Sequence, residues 1–203
     1  MKSSLIKLII VGLLTAALVA VWPQAMPLVK QAISPPVSYQ TKPVLPPPGI
    51  KYLEKVEDLV FEMTNQARLA KGLTPLIKDT ELRQVARNFS NDMLVRRFFD
   101  HTTPDGVEFD DRITEQYHHR VFMMGENIWF SYGYHYPNLK RLAQEIVDDW
   151  LDSPGHRANL LDLEFTHIGV GVSARHHTIK VTQEFVGKSR AFSWGGFFNL
   201  QGP

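Results

Sequence analysis

Apolar residues recur at spacings of three and four in several stretches of this chain, and at a spacing of two in a later region. Leu53, Val56, Val60, Met63, Ala67 and Ala70 trace one face of a helix that Gly72 closes. Leu82, Val85, Ala86, Phe89 and Met93 trace a second. Asp79 is placed to cap its N-terminus, and Arg96 and Arg97 suit its negative end. Pro104-Asp105-Gly106 is turn chemistry and starts a shorter helix through Arg112 to Gln116. The clearest stripe follows Pro137: Asn138 is a good cap, and Leu139, Leu142, Ala143, Ile146, Val147 and Trp150 share one face. Glu145, Asp148 and Asp149 lie off that stripe and read as a solvated face. Ser153-Pro154-Gly155 stops the helix, because proline has no amide donor and restricts the residue before it.

After Leu161 the period changes to two. Ile168, Val170 and Val172 point to one face of a strand, with His167, Gly169, Gly171 and Ser173 on the other. Ile179, Val181 and Phe185 repeat the alternation after a polar turn around Arg175, His176 and His177, which makes an antiparallel hairpin. Two glycines weaken a strand and are explained where a helix or ligand approaches the sheet closely. Helices followed by a small antiparallel sheet imply an α+β fold.

The ends of the chain differ from this middle. Behind Lys2 and Lys7, an apolar run from Leu8 to Trp22 has the length of a signal-peptide core and falls short of the ~20 residues of a comfortable membrane span. We therefore expect residues 1–25 to be a signal peptide or an uncleaved signal anchor, with the protein secreted or extracytoplasmic and attached to the membrane in the second case. Residues 26–50 read as a proline-rich linker, since Pro23 to Pro48 holds eight of the thirteen prolines. The folded domain is then 51–188, with a tail over 189–203 that carries Trp194, Phe197 and Phe198. The formal net charge of +1 hides four lysines and no acid in residues 1–50, leaving 18 basic against 21 acidic residues in the remainder. A faintly acidic domain lacks the basic field that a phosphate backbone requires, so no nucleic-acid partner is expected. The absence of cysteine excludes lipoprotein processing, disulfides and a thiol nucleophile, and there is no G-x-S-x-G elbow for a serine one.

Three short motifs carry the candidate chemistry: HTTPDG from His101, GENI from Gly125 and SPGHRANLL from Ser153. They place His101, Glu126 and His156 on turn-like or element-terminal segments. Two imidazoles and a carboxylate can bind zinc with an open fourth position, or a histidine and Glu126 can share acid–base work. Their separations of 25 and 30 residues match no local metal signature. Purely structural roles are equally available to them: Glu126 accepting backbone amides at a turn, His156 bracing the next helix. His118-His119 and His176-His177 are adjacent pairs in polar stretches and read as solvated loops. Glu184 falls on the strand face opposite Val181 and Phe185, either at a cleft edge or in solvent. The aromatic run Trp129, Phe130, Tyr132, Tyr134 and Tyr136 reads as a long loop, packed on the domain or offering rings to a lipid or sugar.

In this order the three motifs resemble the CAP superfamily of cysteine-rich secretory, antigen 5 and pathogenesis-related 1 proteins, in a cysteine-free bacterial form, over Lys51 to Gly187. The resemblance implies a three-layer α–β–α sandwich with a small antiparallel sheet between helices. It also implies a cleft where two histidines and two acids converge, the histidines binding a divalent metal in some members. His101, Glu126 and His156 match three of the four; at the fourth position stands Ser153, with Asp152 the nearest carboxylate. The expected function is an exported binding module for a lipid, glycan or peptide, with zinc or another divalent cation on His101 and His156. The alternative is a metal-assisted hydrolase, peptidase or esterase-like, with Glu126 as base.

Overall fold

The computed structural model describes residue 46 and residues 48–133 and 138–188. The leader, most of the proline-rich stretch, Tyr134, Tyr136 and the tail from 189 lie outside them. Helices α1 (Glu54–Ala70) and α2 (Thr80–Val95) follow the periodic stretches, α3 (Phe109–Gln116) starts three residues after the Pro104-Asp105-Gly106 turn, α4 (Leu139–Asp152) follows the clearest stripe, and α5 (Pro154–Leu161) follows the stop at Ser153. Asp79 caps α2 by accepting from the amides of Glu81 and Leu82, each at 3.0 Å. Asn138 caps α4 through the amide of Arg141 at 3.1 Å. Pro154 occupies the first turn of α5, where a missing amide donor costs nothing.

The strands are β1 (Lys51–Tyr52), β2 (Ile77–Lys78), β3 (Met123–Tyr132), β4 (His167–Arg175) and β5 (Thr178–Gly187). They join in the order β1-β4-β5-β3, all antiparallel, with β2 added to β4 in parallel. The expected hairpin is β4–β5. On one face of the sheet Ile168, Val170, Val172, Ile179, Val181 and Phe185 pack under Val56, Val60 and Met63 of α1, the stripe of α4, and Leu160 of α5. On the other, Val186 packs with Leu82 and Val85 of α2 and Ile113 of α3, and Ile128 with Phe89 and Met93. The fold is thus α+β, a three-layer α–β–α sandwich. No helix among the described residues is long and apolar enough to cross a membrane.

The glycines on the second face explain themselves. A Cβ on Gly169 would stand 2.2 Å from the backbone carbon of Leu82, and one on Gly171 2.3 Å from that of Ala86. Helix α2 lies directly on the bare side of β4, in agreement with the close approach that the pattern predicts.

Two expectations change. Residues 123–132 form a strand and not a loop, so Glu126 sits in mid-strand rather than at a turn. The alternation is invisible there because residues 125–129 are buried on both faces and two of them are Glu126 and Asn127. The buried face of α1 includes Glu57 and Arg68 in place of Ala67 and Ala70. Arg68 hydrogen-bonds the carbonyls of Thr74, Leu160 and Asp162, and Glu57 pairs with Arg83 and Arg87. Asp149 is exposed, as its place off the apolar stripe predicts, and also accepts the Trp129 indole N–H at 2.7 Å.

The Gly171→Ala variant is expected to lose about 3 kcal/mol or more of stability, because the clash is with helix backbone that cannot rotate away. Urea denaturation measures it; a midpoint equal to wild type would mean that α2 rides further from the sheet.

Candidate functional site

Glu126 points from β3 toward the α2 side of the sheet and is only 4% exposed. Its two oxygens are taken by different partners. Oε1 lies 2.7 Å from His101 Nδ1, and Oε2 accepts from Arg112 Nη2 at 2.6 Å. Arg112 is wholly buried, with its guanidinium 3.4 Å from the Phe89 ring centroid. Its Nη1 also donates to the carbonyls of His101 at 2.7 Å and Val107 at 3.1 Å. One guanidinium therefore fixes the loop that carries His101 and the carboxylate that meets it. The turn chemistry of that loop adds its own ties, Gly106 N–H to the Thr103 carbonyl and Val107 N–H to the Thr103 hydroxyl.

His156 is the third residue of α5, not a cap before it. Asn127 Nδ2 donates to its carbonyl at 3.2 Å, and Asn159 Nδ2 donates to the Glu126 carbonyl at 3.0 Å and to Asn127 Oδ1 at 2.9 Å. The GEN and HRAN motifs thus hold each other, and through them His156 stands near His101.

The electrostatics of the two imidazoles are opposite. The hydrogen bond to Glu126 raises His101 above the ordinary histidine range, so Nδ1 carries the proton and Nε2 is left on the other side of the ring. Burial, and then the positive charge of His101, lowers His156. Among the described residues no group of three or more His, Asp and Glu is gathered closely enough to hold a metal. Glu126 lies against His101 and not against His156, whose contact with β3 runs through its backbone carbonyl. Asp152 is exposed and accompanies neither.

Glu184 pairs across the sheet with Glu126 and is fully buried, neither at a cleft edge nor in solvent. Burial, followed by the charge of Glu126, pushes its carboxyl well above the usual range. His118 and His119 contact Glu81 at 2.6 and 3.1 Å on the surface. His176 and His177 form the exposed hairpin turn. Trp129 is buried, whereas Phe130 and Tyr132 are 49% and 83% exposed. The sequence marks Arg112 only as part of a short helix, and it places Glu184 on a strand face without showing that it is buried. An arginine in a polar helical turn and an acid in an alternating strand carry no local mark of burial.

Proton titration followed by NMR tests this arrangement. His101 should titrate above, and His156 below, the usual ~6.5. Because the folded chain holds the His101 proton better than the unfolded one, that stabilisation is full below about pH 6.5 and lost as pH rises through the folded value. His156 works in reverse, and protonating it costs stability as pH falls below about 6.5. In Glu126→Gln the His101 value should fall; an unchanged value would show that the contact is not what raises it.

The family model described as CAP, cysteine-rich secretory protein family, matches residues 61–185. The protein YkwD of Bacillus subtilis (strain 168) is 38% identical over 133 residues, covering 65% of this chain and 47% of that protein. The crystal structure of an extracellular protein containing a SCP domain from Bacillus anthracis is 30% identical, with a TM-score of 0.55, covering 66% of this chain and 41% of that one. An outer surface protein of Borrelia burgdorferi, 18% identical, shares the fold with a TM-score of 0.59 over 68% of this chain and 98% of its own. The chain spans less than half the length of the two Bacillus proteins. With its motifs, its three layers and a family match over 61–185, the chain belongs to the CAP, or cysteine-rich secretory protein, family.

Proposed function

We propose that this chain is an exported CAP binding module that takes a lipid, glycan or peptide in its cleft, with a divalent cation held by His101 and His156. The observation that carries this reading is the double engagement of Glu126. With Oε1 on His101 and Oε2 on Arg112, both its oxygens orient neighbours, and an attacking water would have to compete with those partners for the remaining lone pairs. A carboxylate accepting from Nδ1 fixes the imidazole tautomer and presents Nε2 outward, which is the usual support of a metal-binding histidine. The lowered pKa of His156 keeps its ring neutral, as a ligand must be. A bound cation would supply positive charge for an anionic or carbonyl group of the ligand, while Arg112 and Asn159 hold the donors in place. The basic apolar leader supports export, as does the extracellular character of the Bacillus anthracis relative.

Zinc titration of the full chain by calorimetry tests the site. Wild type should bind one ion, the His101→Ala, His156→Ala double variant none, and Glu126→Gln about 10- to 100-fold more weakly. Affinity should rise with pH through the His101 value, since proton and metal compete for that ring. Equal affinity in wild type and the double variant would overturn the metal reading. Turnover of a peptide, ester or cell-wall substrate that is lost in Glu126→Gln would favour the hydrolase instead.

A further inference from the structure

Beyond Glu126 along β3, the C-terminal turn of α2 and the β4–β5 hairpin enclose a cavity of about 600 Å³. Met93, Leu94 and Phe130 give it apolar walls, and Arg97, Arg175 and Lys180 give it cations. Among the described residues no aspartate or glutamate lines it, and none of these three cations lies within 4 Å of a carboxylate. Arg97 and Arg175 reach it from the exposed rim and Lys180 from the interior. The buried or half-buried Arg83, Arg87, Arg112 and Lys188 each meet an acid, and buried Arg68 is held by three carbonyls, whereas Lys180 has neither among the described residues.

Lys180 is the most constrained of the three. The residue is 7% exposed, and Nζ sits 4.5 Å from the Phe130 ring centroid and 4.6 Å from that of Phe99. Two aromatic faces stabilise an ammonium but do not neutralise it. Burial accordingly holds this lysine below its ordinary range. The backbone adds a separate observation. Arg97 (φ +59°) and His176 (φ +53°) are the two non-glycine residues with left-handed backbone among the described residues, and both line this cavity. Arg97 stands just past the end of α2, where the Phe98 amide returns to the Met93 carbonyl at 3.2 Å, a closure that glycine makes without strain. A cationic side chain kept at a glycine position, beside a buried lysine without a counter-ion, is strain of the kind that gathers at ligand sites.

We propose that this cavity binds a small organic anion, its carboxylate or phosphate head held by Arg97, Arg175 and Lys180 and its apolar ring body against Met93, Leu94 and Phe130. The site shares no residue with His101, Glu126 and His156, and it stands whether or not those histidines bind a metal.

The full chain is titrated by calorimetry with 2-naphthoate and 2-naphthyl phosphate, with 2-naphthylmethylammonium as the matched cation and inorganic phosphate as the head alone. At least one naphthyl anion should bind ten times more tightly than either the cation or phosphate, and the tighter of the two anions identifies the head. Arg97→Gly relieves the left-handed backbone, so its Tm should hold or rise while affinity falls tenfold or more. Lys180→Met should weaken binding similarly, and the His101→Ala, His156→Ala variant should bind as wild type does. Equal affinity for the naphthyl anions and the cation, no binding of either anion, or an Arg97→Gly protein that keeps both its Tm and its affinity would overturn the proposal.

Discussion

The ion pair between Arg112 and Glu126 sits where water cannot reach, and the arrangement of the site follows from that. Their side chains are 0% and 1% exposed. Two charges taken out of water must meet each other with good geometry and have their remaining donors and acceptors satisfied, and removing either partner costs about 3–5 kcal/mol. The His101 imidazole takes up the carboxylate and the carbonyls of His101 and Val107 take up Nη1 of the guanidinium, while Nε has no acceptor among the described residues and the guanidinium lies on the Phe89 ring. The loop that presents His101 is held at both ends by the guanidinium of that buried pair, through the carbonyls of His101 and Val107. Glu184 obeys the same constraint from the other side. With one guanidinium available and Glu126 already on it, a second buried carboxyl directly across the sheet is pushed toward its protonated form, by burial first and by the charge of Glu126 second.

A second constraint places His156. Strand β3 ends the sheet, and an edge strand presents unpaired backbone groups. Here helices supply the partners: the Trp150 indole donates to the Ile128 carbonyl at 3.0 Å, and Asn159 donates to that of Glu126. The tryptophan of α4 and the asparagine of α5 both cover the edge of the strand whose Glu126 side chain meets His101. The α4–α5 corner, broken by Pro154, is docked at that point, and His156 arrives there because it lies three residues before Asn159 in the same short helix.

These two constraints explain what could be read in advance. Helices α1, α2 and α4 and the hairpin were legible because each buries one apolar face, and burial of one face imposes a period. The glycines of β4 were legible because a bare strand face needs something close against it. Strand β3 was not legible, since a strand buried on both faces has no alternation, and its polar centre of Glu126 and Asn127 mimics a loop. His101, Glu126 and His156 could be picked out by motif. What joins them could not: Arg112 and Glu184 are ordinary charged residues until the fold removes water from around them, and Asn127 and Asn159 find each other across 32 residues.

Charge in the folded domain is consequently a matter of place more than of sum. Residues 51–203 carry 18 basic and 21 acidic groups, a balance that describes a mildly acidic surface and hides both extremes inside it. Near one end of β3, a negative centre is balanced by Arg112 and His101 around Glu126. Toward the other end, Phe130 lies among cations drawn from residues 97, 175 and 180, which have no acid at hand. Segments that distant meet only because α2 is pressed onto the glycine face of β4 and the hairpin turns back beside its last turn. The close approach that Gly169 and Gly171 permit thus does more than pack the core, since without it the end of α2 would stand away from the hairpin and the positive charge there would be spread through solvent rather than gathered around one cavity.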